Sequence, residues 1–154
     1  MGSSGTSPAA RRWWPLLLPL SYLLHVGEEW FGGFDVWSER ALGMPIGADR
    51  FILLNGIVWP LVAILTVVAV RRPSWSWLLT SIATVLVVNA AFHSLASIVT
   101  STYSPGAITG LCLYLPVGGY ALLDGRRRLP PGGFGWAVLL GVAAHVAVVV
   151  VARW

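Results

Sequence analysis

The chain has 154 residues, of which 56% are hydrophobic and only 10% charged, whereas an ordinary soluble domain carries about 25% charged residues. That deficit excludes a water-soluble globule. The net charge of +4 is carried by arginines that flank apolar runs, so it offers no nucleic-acid-binding face either. What remains is an all-α polytopic membrane bundle of about five transmembrane helices with little outside the bilayer.

In chain order, residues 1–10 are rich in Gly, Ser and Pro and are expected to form a disordered tail, leaving 11–154 as a single transmembrane helical domain. Arg11-Arg12 ahead of an apolar run resembles a signal peptide, but no small-residue cleavage site follows and the run contains a His and two Glu. The apolar runs are roughly Trp13–Phe34, Phe51–Val70, Trp75–Val99, Pro105–Leu123 and Phe134–Ala152, each about 19 to 25 residues and long enough to span. In hydrocarbon each must be helical, because its backbone polar groups find partners only within the segment. Pro60 and Pro116-Val117-Gly118-Gly119 lie inside runs and are expected to kink or loosen them. Asp35 to Arg50 is the one connection long enough for a surface element such as an interfacial helix. Cys112 is the only cysteine, so no intramolecular disulfide forms, and it reads as a small apolar helix residue.

Arginine placement orients the chain. With the N-terminus cytoplasmic, Arg11, Arg12, Arg71, Arg72, Arg126, Arg127 and Arg128 fall inside, and Arg40, Arg50 and Arg153 outside. Seven against three favours a multi-pass protein of the cell membrane with its N-terminus in and its C-terminus out. In that orientation His25, Glu28 and Glu29 on the first helix, Asn55 on the second, Asn89 and His93 on the third and His145 on the last all fall in the outer leaflet.

Intramembrane carboxylates are costly and normally face a cavity with partners. Glu28 and Glu29 lie three and four residues beyond His25, so all three project from one arc of the helix. No Lys or Arg lies inside the spans to pair with them. Imidazole with carboxylate suits Zn, Fe or Mn, and His25 to Glu28 is the Glu-x-x-His spacing of bundle metal sites in reverse. Asn89 and His93, four apart, share a face of the third helix.

The strings His25-Val26-Gly27-Glu28-Glu29, Asn89-Ala90-Ala91-Phe92-His93 and Tyr103-Ser104-Pro105-Gly106 resemble, in that order, the motifs of the HXXEE family of bacterial integral membrane proteins. The resemblance runs from the first helix through the fourth. It implies a multi-helix membrane protein and supports these residues as the site, without implying a substrate.

The resulting expectation is a membrane-embedded metal-dependent enzyme, hydrolase before oxidase, with an outward-facing site for an apolar, lipid-like or isoprenoid substrate. His25, Glu28, Glu29 and His93 are the expected ligands of a divalent metal, Zn or Fe, with Glu28 or Glu29 left over as general base. Tyr103 is expected to fold over the site as an acid or a positioning group. Asn89 is expected to orient a ligand and Asn55 to join helices, while His145 stands at the right depth but outside the motifs. The rival reading is a proton-coupled transporter or small-molecule-binding protein in which the two carboxylates share a proton. The chain lacks the internal repeat of such transporters, although a homodimer would supply the symmetry. A buried hydrogen-bond network that only locks the helices is the third reading.

Overall fold

Each of the five apolar runs forms a helix in the computed structural model, which describes residues 13–153. The tail expected at residues 1–10 lies outside the described residues, as do Arg11 and Arg12. A 3-10 turn at Trp14–Leu16 leads into α1 (Leu17–Phe31). After Gly32 and Gly33 the chain turns into α2 (Phe34–Leu42), the short element anticipated in the Asp35 to Arg50 connection. It is tied to the opposite loop by Trp37 Nε1, which donates to Thr102 Oγ1 at 3.0 Å. Then come α3 (Ala48–Arg71), α4 (Trp77–Thr100), α5 (Ala107–Arg128) and α6 (Pro131–Arg153).

Four of these helices, α3, α4 with its leading turn, α5 and α6, are long and apolar enough to cross a membrane. α1 is the exception. Its 15 residues rise about 22 Å, less than the roughly 30 Å of a hydrocarbon core. The first run therefore ends before Phe34, and its polar end is sheltered inside the bundle by the other helices. The outward faces of the long helices are apolar, with Ile57, Leu61 and Ile64 exposed on α3 and Leu139, Leu140 and Val150 on α6, as lipid contact requires.

Pro60 sits inside α3 without ending it. The looser point of α5 lies ahead of Pro116, where Gly110–Tyr114 form a π-helical turn. Pro116 has no N–H to donate back into that turn. α4 is the central helix, packed on α5 and α6. It approaches α6 closely because a Cβ at Gly141 would lie 2.5 Å from the Ser81 carbonyl oxygen, and Ser81 Oγ donates to the Ala137 carbonyl at 2.8 Å. Small residues that let helix backbones touch are the usual substitute for the hydrophobic effect in lipid. α1 is fastened to α3 by Tyr22 Oη donating to Asn55 Oδ1 at 2.9 Å and Trp59 Nε1 donating to the Pro19 carbonyl at 3.0 Å. Leu18, Ile82, Leu86 and Tyr114 belong to the core between these helices.

Candidate metal centre

A four-residue step overshoots one helical turn by only about 40°, so His25 and Glu29 face the same way from α1. Glu29 Oε1 lies 3.6 Å from His25 Nε2 and 3.2 Å from His93 Nε2, the latter supplied by α4. One donor atom from each of the three residues falls within 4.8 Å of the others, and the residues are 2%, 7% and 1% exposed in the order His25, Glu29, His93. The second nitrogen of each ring is held by a hydroxyl: His25 Nδ1 lies 2.8 Å from Thr109 Oγ1, and His93 Nδ1 lies 2.9 Å from Ser104 Oγ. With each Nδ1–H directed to its hydroxyl, both Nε2 lone pairs point to the side where Glu29 stands. That is how ligand imidazoles are commonly oriented around a metal. Among the described residues His25 Nε2 is buried with no hydrogen-bond partner, where a buried polar atom normally has one.

The turn after α4 forms the roof. Gly106 takes φ +103°, and a Cβ there would lie 2.8 Å from His25 Cε1 and 2.9 Å from His93 Cε1. Only glycine meets both demands, the backbone conformation and the space under it. From below, the π turn of α5 stacks Tyr114 on His25 with ring centroids 4.2 Å apart.

Glu28 requires a correction. Adjacent residues on a helix diverge by about 100°, and the Glu28 side chain leaves the His/Glu group for the start of α5. Its Oε1 accepts the N–H groups of Gly106 and Ile108, each at 3.0 Å, and its Oε2 accepts that of Thr109 at 2.6 Å. A helix start exposes N–H groups without intrahelical partners and carries partial positive charge, so a carboxylate belongs there. Glu28 is thus a cap delivered from another helix, and its partner set is separate from that of Glu29. The expectation of Glu28 as a metal ligand, or of the two carboxylates sharing a proton, does not match this arrangement.

Tyr103 is also relocated. Its hydroxyl donates to Glu28 Oε1 rather than reaching the imidazoles. Half-exposed in the loop between α4 and α5, it has its phenol pushed up to about 12 by desolvation and by the hydrogen bond to Glu28. It secures the roof and stands outside the His/Glu group.

Asn55 joins α1 to α3 through Tyr22, as expected of interhelical amides. Asn89 does not orient His93, because Ser104 already holds that ring; the Asn89 Oδ1 is buried and has no partner among the described residues. His145, 8% exposed, joins the site by lining the cavity that opens beside Glu29. This cavity of about 110 Å³ is bounded by His25, Glu29, His93, Asn89, Asn55 and His145 and otherwise mainly by apolar side chains such as Phe51, Leu54 and Val148.

Four residues of the site escape sequence reasoning. Tyr22 lies three residues before His25, a spacing that could have revealed it. Ser104 sits within the Tyr-Ser-Pro-Gly string, where it reads as turn chemistry alone. Thr109 and Tyr114 carry no signal in a membrane helix where such residues are common.

A family described as a protein of unknown function with HXXEE motif matches residues 16–121. The chain belongs to the HXXEE family. No curated protein and no solved structure matches it. In this HXXEE chain the motif residues have separate roles. His25 and Glu29 turn inward with His93, while Glu28 holds the loop that roofs them. The HXXEE match ends before α6, so His145 lies beyond it.

Proposed function

We propose that the protein is a membrane-embedded, metal-dependent enzyme in which His25, Glu29 and His93 hold one divalent ion, Zn or Fe. The observation that carries this reading is the convergence of three buried donors, two with their far nitrogens fixed by hydroxyls, beside a cavity. Bonds of 2.0–2.1 Å in tetrahedral array separate ligand atoms by about 3.4 Å, and the 3.6 and 3.2 Å separations about Glu29 agree with that. Three protein ligands leave a position for water or substrate, as catalytic sites do and closed structural sites do not.

Two neutral imidazoles and one carboxylate fit Zn as a hydrolytic centre, since bound water then ionises near neutral pH. The same set fits Fe(II) for oxidation of an apolar molecule. Hydrolysis is the preferred chemistry, and the substrate is an apolar, lipid-like molecule entering from the bilayer. The rival class, a proton-coupled transporter, would have Glu29 exchange protons with the imidazoles. That His25 Nε2 has no hydrogen-bond partner among the described residues favours a metal instead. The arginine distribution favours a cytoplasmic N-terminus, and in that orientation the centre lies in the outer half of the membrane.

The test is elemental analysis of protein purified without a chelating resin, followed by titration of apo protein with Zn, Fe and Mn. One equivalent of Zn or Fe is expected in the wild type, and less than a tenth of that in His25→Ala and His93→Ala. Wild-type protein that is folded, metal-free and indifferent to all three ions would remove this reading.

A further inference from the structure

The cavity has a second polar wall that metal binding leaves unused. Asn89 on α4 and His145 on α6 both line it. Lower in the bundle Ser81 Oγ donates to the Ala137 carbonyl, which fixes the register of these two helices. They run in the same direction, because α5 returns the chain between them. Eight residues further on, about 12 Å and a little over two turns along each, the positions level with one another are Asn89 and His145. Both side chains belong to a lining that is otherwise mainly apolar on these two helices. The Asn89 Oδ1 is buried and has no partner among the described residues. A desolvated carbonyl oxygen without a donor is unfavourable, and none of the described protein groups relieves it.

We infer that Asn89 and His145 form a subsite for the polar end of the substrate, and that this end carries a hydrogen-bond donor: a hydroxyl or a primary amide on a short apolar stem. The unpaired oxygen of Asn89 selects the donor, and the His145 imidazole supplies the second contact. The volume sets the size of the group. A dry cavity of 150 Å³ accommodates benzene, so about 110 Å³ holds roughly four heavy atoms, one end of a lipid-like molecule rather than the whole. Phe51, Leu54 and Val148 surround the stem. The subsite rests on the enzymatic reading for its role in a reaction, but ligand binding to it is measurable without turnover or metal.

The probes are 1-hexanol and 1-methoxypentane, which have the same atoms but differ in the hydroxyl donor. Protein labelled with 15N-histidine is placed in lipid nanodiscs, and the His145 resonances are assigned by their loss in His145→Gln. Titration with 1-hexanol is expected to shift the His145 signal saturably, while 1-methoxypentane leaves it in place. Asn89→Leu, which keeps the side-chain shape, is expected to weaken hexanol binding about tenfold, with far-UV circular dichroism and metal content unchanged. Equal responses to the two probes, no response to either, or undiminished hexanol binding by Asn89→Leu overturns the subsite. Metal content measured on the same samples keeps the two proposals apart: metal-free protein that discriminates the probes retains the subsite and loses the metal, and metal-loaded protein that does not discriminate them does the reverse.

Discussion

Glu28 and Glu29 share a peptide bond and serve different helices. Glu29 Oε1 stands between the Nε2 atoms of His25 and His93, at 3.6 and 3.2 Å, while Glu28 gathers the N–H groups that open α5. One carboxylate faces the candidate metal and the other holds the loop that closes over it. Mutating the two should therefore give different phenotypes.

Glu29→Gln is expected to keep the fold and lose at least nine-tenths of the bound metal, because a neutral amide is a poor ligand for a divalent ion. Glu28→Gln is expected to retain metal and lower stability by about 2 kcal/mol, since it replaces a charged acceptor at a helix start by a group half of which repels N–H donors. Metal analysis paired with thermal unfolding in detergent reads both. Equal metal loss in the two variants would mean that Glu28 reaches the ion.

Ser104→Ala and Thr109→Val remove the hydroxyls that fix the two imidazoles. Each should weaken metal affinity by roughly 10- to 100-fold, the usual effect of deleting such a partner, with little change in helix content. Competition against a chelator of known affinity measures it, and unchanged affinity in both variants would show that the rings are oriented by packing alone.

Gly106→Ala should be the most damaging small change in the roof. The added methyl would lie under 3 Å from a carbon of each histidine, on a backbone at φ +103°. A cost of about 1–3 kcal/mol is expected from the backbone conformation alone, together with loss of metal as the rings are displaced. A variant as stable and as metal-loaded as the wild type would refute the close approach.

Tyr103 gives the roof an alkaline limit. Its phenol is pushed up to about 12, above the value near 10 of an unfolded tyrosine. A raised pKa means that its contribution is complete below pH 10 and is lost as pH rises towards 12. Ultraviolet titration should show a tyrosine ionising near pH 12, and this step should be missing in Tyr103→Phe. A step at the ordinary pH would mean that the contact to Glu28 does not persist.

Reporter fusions to the two ends of the chain are expected to fall in opposite compartments, N-terminus in, as the arginine distribution favours. Both ends on one side would leave α1 dipping into the bundle without crossing, consistent with its 15 residues but not with the proposed orientation.

Much of the fold is legible in the sequence because lipid permits so little: apolar runs of spanning length must be helices, and all five lie near their expected places. The end of α1 is less so, since hydropathy does not register where Gly32 and Gly33 break the helix. The site is legible in part. His25, Glu29 and His93 meet, but spacing alone does not distinguish a carboxylate three residues on from one four residues on, as both lie near the His25 face. The start of α5 decides between them, because it needs an acceptor, and that need arises only when the helices are assembled. Hydroxyl groups such as Thr109 stay hidden for a similar reason: they are common in membrane helices, and only their neighbours give them a role.

The π turn at Gly110–Tyr114 has a bearing on how this site came to be. Such a turn closes its hydrogen bonds over five residues instead of four, so it accommodates one extra residue while the helix on either side keeps its place. An unbroken α5 would be one residue shorter, with its ends still seated on α4. Deleting a single residue within Gly110–Tyr114 should then leave the bundle assembled and move the aromatic ring away from His25.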